Sequence, residues 1–345
     1  MPAQPPVRLI VNPVAGGGRA GRAAPAVQSA LSGHGLEVSR EDTRDLEHAR
    51  ALAREAAARG ETVAALSGDG MVGAVADVLR GIPGAILGVL PGGRGNDFAR
   101  VLGIPSDPVA ACAVIARGNS RLVDLGEVEG RAFLGIASAG FDSDCNRIAN
   151  ESPAWLGNLV YAYSALRVLA GWRPARFEVE LEPHEEIDRS TASGSESTAS
   201  GSGYEPASAG GSPTGRSEPD GPLANEAERG QSPRQRFCGY TIAAANSGVY
   251  GGGMRLAPHA RLDDGLLDVV AIEQVSKLRF LANLPKVFKG THVQLPSVRV
   301  LRAAEVLISS DRPFTLYADG DPIAELPARV RALPGAVRVL APEGA

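Results

Sequence analysis

The sequence predicts an α/β protein of two domains, a doubly wound N-terminal domain with a parallel sheet followed by a mainly antiparallel β domain. Three observations predict it. Apolar runs alternate with helix-like stretches up to about residue 120, the grammar of a parallel sheet covered by helices. From Arg121 the texture changes to short alternating strands. The chain of 345 residues, 44% apolar and 21% charged, is long enough to bury two medium cores.

Val7 to Val11 is an apolar run closed by Asn12-Pro13 and Gly16-Gly17-Gly18, a buried strand entering a loop. A helical pattern follows from Ala20 to Leu31. Leu36 to Val38 reads as a strand, Leu46 to Ala58 as a helix, and Thr62 to Leu66 as a strand. The loop Ser67-Gly68-Asp69-Gly70 opens a helix from Met71 to Leu79. Ala85 to Leu90 is a further strand, and Pro91 to Asp97 a second Gly/Asp loop before a helix through Leu102. These elements make up a first domain over residues 1–120. In the second, residues 121–345, strands are expected at 131–136, 177–181, 240–244, 267–272, 298–301, 305–308 and 314–318, interrupted by an amphipathic helix at about Ala154 to Leu169. Residues 184–234 are Ser, Gly, Glu, Pro and Ala with almost no large apolar side chains. Such a segment offers too little burial to offset its ordering entropy, and a disordered insertion between strands is expected.

The formal charge of −4 argues against a general nucleic-acid binder. Residues 183–234 hold nine acids and four arginines, leaving the rest of the chain at a net +1. Three scattered cysteines, Cys112, Cys145 and Cys238, give neither a disulfide framework nor a metal motif, which points to a reducing cytosol. No basic leader and no apolar run of membrane-spanning length is present, so membrane contact is expected to be peripheral.

Two glycine loops at the carboxyl ends of neighbouring strands are where such folds bind ligands. Glycines let the backbone approach a phosphate, and helix N–H groups face its charge. Asp69 adds a hard oxygen suited to Mg²⁺, although the same loop also suits a tight strand-to-helix turn. Asn96-Asp97 suits helix capping as well as a ligand site. Arg94 places a guanidinium fork among glycines, a phosphate-binding arrangement.

The order of these blocks resembles the diacylglycerol kinase catalytic-domain family, which includes sphingosine and ceramide kinases. The blocks are Asn12-Pro13, Ser67-Gly68-Asp69-Gly70, Leu90 to Arg100 and Ala139-Gly140-Phe141-Asp142. Then come Asn246 to Met254, Asp264-Gly265-Leu266-Leu267-Asp268-Val269 and Asp319-Gly320-Asp321. The resemblance implies an NAD-kinase/phosphofructokinase-like nucleotide domain, a β-sandwich-type lipid domain, and ATP in the cleft between them. It implies that Asn12, Thr43, Ser67, Gly68, Asp69, Gly70, Met71, Val72, Gly73, Gly93, Arg94, Asn96 and Asp97 hold ATP. Asp69, Asp97 and Asp124 would manage a catalytic Mg²⁺. Arg261 and Leu266, through their carbonyls, and Asp264, through its carboxylate, would hold a structural Mg²⁺. Asp321 would be the general base, beside Asp69 in the catalytic set.

The departures are Ser67 for a Gly, Met71 and Arg94 for Thr residues, and Asp321 where the family commonly has Glu. Two hydroxyls are lost and the base is shortened by one methylene. The implied activity is ATP-dependent phosphorylation of a membrane lipid, most plausibly diacylglycerol. A sphingoid, ceramide or other lipid acceptor, or a catalytically silent lipid- or nucleotide-binding regulator, are the rival readings. The implied setting is the cytoplasmic face of the membrane, with a homodimer left open.

Trp155, Leu156, Leu159, Val160, Tyr163, Leu166 and Leu169 form a stripe that reads as core-facing, with a lipid-cleft wall as the alternative. Between Ser276 and Arg302 there are six Lys/Arg, no Asp/Glu and interleaved apolar residues. That segment is either a dock for an anionic bilayer or an ordinary solvated basic face.

Overall fold

The computed structural model describes residues 4–151, 159–182 and 234–344. The insertion read at 184–234 lies outside them except for Arg234, and so do Trp155 and Leu156.

The first layer is built by β1 (Val7–Val11), α1 (Ala15–Gly33), β2 (Val38–Asp42), α2 (Leu46–Ala58), β3 (Thr62–Ser67), α3 (Asp69–Leu79), β4 (Ile86–Pro91), α4 (Asp97–Val101) and α5 (Pro108–Arg117). β1 and β3 are buried at every position, as their mainly apolar runs lead one to expect of central strands. The strands pair in parallel in the order β2-β1-β3-β4. α1 packs with α5, and α2 with α3. Because the chain passes from β1 outward to β2 and then returns to the other side of β1 as β3, the strand order reverses between β1 and β3. The crevice at their carboxyl ends is the ligand position of open α/β sheets.

The second layer contains β5 (Ser120–Val128), β6 (Arg131–Phe133), β7 (Ile136–Gly140), α6 (Phe141–Glu151), α7 (Leu159–Gly171), β8 (Ala175–Glu182), β9 (Arg234–Ala245) and β10 (Leu267–Glu273). It continues with α8 (Lys277–Lys289), a 3-10 turn at His292–Gln294, β11 (Val298–Ala303), β12 (Glu305–Ser310), β13 (Thr315–Ala318), β14 (Asp321–Glu325) and β15 (Ala328–Leu340). Its strand pairs are antiparallel apart from the contact of β15 with β4. β9 is the fork. Its first half pairs with β8 and its second with β7, while β10 lies on its other edge. Alternate residues of β9 serve opposite faces: Tyr240, Ile242 and Ala244 enter one core, Ala243 and Ala245 another.

β15 joins the layers. It runs antiparallel to β12 and β5, shifts register between Leu333 and Val337, and then pairs in parallel with β4 through Arg338 and Val339. Val330 lies in the core of the second layer, and Val337, Val339 and Leu340 in that of the first.

The predicted stripe on α7 faces the core only in part. Leu169 is buried, whereas Tyr163 and Leu166 are exposed. The α1 segment Gly16-Gly17-Gly18 is not helical either, with φ of 61°, 69° and 82°, so the regular helix starts close to the predicted Ala20.

Candidate active site

Three loops meet at the crevice. The carbonyl of Ser67, the last residue of β3, accepts the N–H groups of Gly92 (2.7 Å) and Gly93 (3.1 Å). This clamps the loop after β4 onto the loop after β3. The contact is backbone on backbone, since a Cβ on Gly93 would lie 2.3 Å from Gly68 Cα. The loop after β1 closes from the other side. Arg19 Nη2 donates to the Gly93 carbonyl, and a Cβ on Gly16 would meet the Gly92 carbonyl at 2.5 Å.

Asp69 begins α3 and caps a helix that is not its own. Its Oδ2 accepts the N–H of Asp97 (3.0 Å) and its Oδ1 that of Phe98 (3.1 Å), where the positive end of α4 favours an anion. Asn96, the expected cap, instead closes its own loop. It sits at φ 52°, and its Oδ1 accepts from Gly93 N at 2.8 Å. Asp97 is buried, with Oδ2 accepting from Gly252 N at 2.8 Å and Oδ1 paired with Arg100. Burial pushes its carboxyl above the ordinary value and the charge of Asp69 adds to this, against the pull of Gly252 N–H and Arg100. A Cβ on Gly95 would lie 3.3 Å from both Asp69 Oδ2 and Asp97 Oδ2, so the two carboxylates face each other across that glycine.

Asp321 arrives from the second layer. Asp319-Gly320 is a two-residue hairpin turn between β13 and β14 with φ of 51° and 94°, the positive pair such a turn demands. Asp319 was read only as part of the motif, but it anchors the hairpin. Its carboxylate accepts from Leu134 N (2.7 Å), Gly135 N (2.9 Å) and Ile136 N (3.2 Å), and burial pushes its pKa up to about 6. The hairpin carries the exposed Asp321 across the crevice, where a Cβ on Gly70 would be 3.8 Å from Asp321 Oδ2. Asp321 thus stands both at a hairpin turn and over the first glycine loop.

The remaining predicted residues divide. Asn12 lies at the end of β1, and its N–H donates to Leu66 O. Thr43 N donates to Val11 O, while its hydroxyl faces the buried Met71 sulfur at 4.0 Å. Met71 and Val72 point into the core, and Gly73 packs on Leu134. Arg94 is exposed at the loop tip without a protein partner among the described residues.

Asp124 is held by a different turn. Its two oxygens are taken by Gly265 N and Gly335 N, each at 2.7 Å. Burial raises its pKa, and the acids that add to this are Asp264 and Asp263. It closes the turn from Arg261 to Leu266. There Asp264 accepts from Leu266 N at 3.1 Å and pairs with Arg302, which also reaches Asp268 at 3.0 Å. A guanidinium thus pairs with the carboxylate expected to meet a structural Mg²⁺. Asp69 and Asp97, two hard oxygen donors facing each other over a glycine, fit a divalent cation.

Beside the hairpin a cavity of about 250 Å³ is lined by Ser143, Asp144 and Arg147 of α6 and by Arg312, Phe314 and Tyr317. Asp142 accepts from Thr241 Oγ1 at 3.1 Å, and burial pushes its pKa up. Burial raises the Cys145 thiol as well, which keeps it protonated and unreactive.

A glycine-cradled crevice with facing carboxylates and an opposed acid from a β layer has the parts that phosphoryl transfer asks of a protein. Residues 6–128 match a family model described as the diacylglycerol kinase catalytic domain, and residues 135–341 one described as the YegS C-terminal NAD kinase beta sandwich-like domain. The chain is 31% identical to a diacylglycerol kinase of Mycobacterium tuberculosis, covering 97% of this chain and 95% of the relative. It is 30% identical to a Pseudomonas aeruginosa protein named "Probable lipid kinase YegS-like", covering 98% and 95%. A crystal structure of a diacylglycerol kinase from Bacillus anthracis str. Sterne shares the fold, with a TM-score of 0.67 at 17% identity over 98% of this chain and 97% of that one. The chain belongs to the diacylglycerol kinase catalytic-domain family and is a lipid kinase. None of the described helices is long and apolar enough to cross a membrane.

Proposed function

We propose that the protein transfers the γ-phosphate of ATP to the hydroxyl of diacylglycerol, giving phosphatidate, at the cytoplasmic face of an anionic membrane. Residues 1–120 would bind the nucleotide and residues 121–345 the lipid. The observation that carries this reading is the approach of Asp321 to Gly70, which sets an acid from the second layer across the loops that end β3 and β4.

Phosphoryl transfer asks the protein mainly to hold phosphates, offset their charge and aim a hydroxyl in line. The backbone of Gly68, Gly70 and Gly93 would approach the phosphates, with the N-terminus of α3 facing their charge. Arg94, exposed at the loop tip, would supply charge-assisted hydrogen bonds in place of the missing threonine hydroxyl. Asp69 and Asp97 would hold Mg²⁺, which when bound offsets the charge developing on the transferred group. Asp321 would accept the lipid hydroxyl proton. The cavity lined by Phe314 and Tyr317 lies along the hairpin that carries Asp321, a suitable place for the glyceride portion.

Asp321→Asn keeps the shape and removes the base. The expected outcome is a folded protein with unchanged ATP affinity and phosphatidate formation reduced by about 10²–10⁴-fold. Full turnover by this variant would remove Asp321 from the chemistry.

A further inference from the structure

The fold leaves the outward face of α8 unused. Inward, Phe280 stacks on Tyr240 at 4.1 Å between centroids, and Val287 enters the core beneath β9 and β10. On the opposite side Leu278, Ala282 and Pro285 follow one another at helical spacing, all exposed, with Phe288 beside them. Leu278 is 81% exposed and Phe288 55%, an apolar ridge of the kind that marks an interaction surface. The start of α8 lies against the end of α7, where Lys277 Nζ bonds the carbonyl of Ala170.

Every charged residue of α8 is basic. Lys277, Arg279, Lys286 and Lys289 lie on α8, and no acid occurs between Ser276 and Arg302. Arg255 is exposed against Gly290 at the helix end. Apolar side chains rimmed by cations are the composition of a helix lying in the interface of an anionic bilayer. The face is also close to the crevice. Val287 O accepts Arg255 N at 3.0 Å, Met254 pairs with Tyr250, and Gly252 of that same turn donates to Asp97.

We propose that α8 is the membrane-docking element of this lipid kinase, inserting Leu278, Pro285 and Phe288 among the acyl chains while Lys277, Arg279, Lys289 and Arg255 meet anionic headgroups. The proposal deepens the reading of the previous section, since docking here would bring the lipid hydroxyl to the mouth of the crevice beside Asp97.

Sedimentation of the purified full-length protein with phosphatidylcholine vesicles, with and without phosphatidylglycerol, tests it. Two double variants serve, Leu278→Ser/Phe288→Ser and Arg279→Ala/Lys289→Ala, all four positions being exposed. The wild type is expected to bind only the anionic vesicles, less so as salt rises. The basic pair is expected to lose about fivefold per residue, equivalent to ~1 kcal/mol each, and the apolar pair about tenfold or more. Both variants should keep wild-type turnover on a monomeric short-chain diacylglycerol. Variants that bind vesicles as the wild type does would overturn the proposal. So would light scattering in which the apolar pair splits a dimer while vesicle binding persists, for the face would then join two copies. Variant-sensitive vesicle binding with no lipid phosphorylated would uphold the docking face and defeat the kinase acceptor instead.

Discussion

At the scale of single residues, Gly95 decides how closely two acids can face each other. A methyl group there would be 3.3 Å from both the Asp69 and the Asp97 carboxylate, close enough that each must give by a few tenths of an ångström. Gly95→Ala is therefore expected to fold normally and to need a severalfold higher Mg²⁺ concentration for half-maximal turnover, read from a magnesium titration of initial rates. Asp69, Asp97 and Asp321 were legible in the sequence because short motifs surround them. The anchoring role of Asp319 was not, since its three N–H donors come from Leu134 to Ile136, far away in the chain. The turn contacts of Asp124 were equally hidden, since Gly265 and Gly335 lie more than a hundred residues away in the chain. Met71, read as a lost phosphate contact, instead fills the core beneath Thr43.

Among elements, the loops ending β3 and β4 act as one unit because no side chain separates them. Gly93→Ala would drive a Cβ to 2.3 Å from Gly68 Cα and part the two loops. The expected result is a stability loss of about 1–3 kcal/mol by urea unfolding, with ATP affinity falling in parallel. A variant that unfolds at the wild-type midpoint and binds ATP normally would show that the loops tolerate separation. β1, β3, β4 and α2 were readable from mainly apolar runs and a clean helical period, whereas β2, expected at Leu36 to Val38, runs over the polar stretch Val38–Asp42. α8 was not read as a helix, because Pro285 interrupts its pattern and half its apolar residues face outward. β15 was missed because Pro334-Gly335 looks like a chain break. In the structure those residues fall within a register shift that lets one strand serve both layers.

Across the whole molecule, the layers are held by β15 and by a charged cluster at its side. Glu127, on β5, accepts from Arg80 Nη1 at the end of α3 and from Arg331 Nε on β15, each at 2.7 Å. Burial alone would raise its pKa, but the two guanidinium groups outweigh it and hold the carboxyl below the ordinary 4.5. Its contribution is therefore present above pH 4.5 and is lost as pH falls through the lower native value. Glu127→Gln is expected to cost about 1–3 kcal/mol at neutral pH and to remove that part of the acid sensitivity, measured by denaturant midpoints across the acid range. This coupling of layers matters because the crevice draws its facing carboxylates from one layer and Asp321 from the other. The most direct test of that arrangement is transfer of label from γ-labelled ATP, with Mg²⁺, to vesicles carrying diacylglycerol, ceramide or a sphingoid base separately, beside an Asp69→Asn control. The account predicts labelled phosphatidate from diacylglycerol alone, abolished in the control. Label in another lipid would contradict the acceptor, and a folded, ATP-binding protein that labels none of the three would contradict the account of the crevice as a lipid phosphotransfer site.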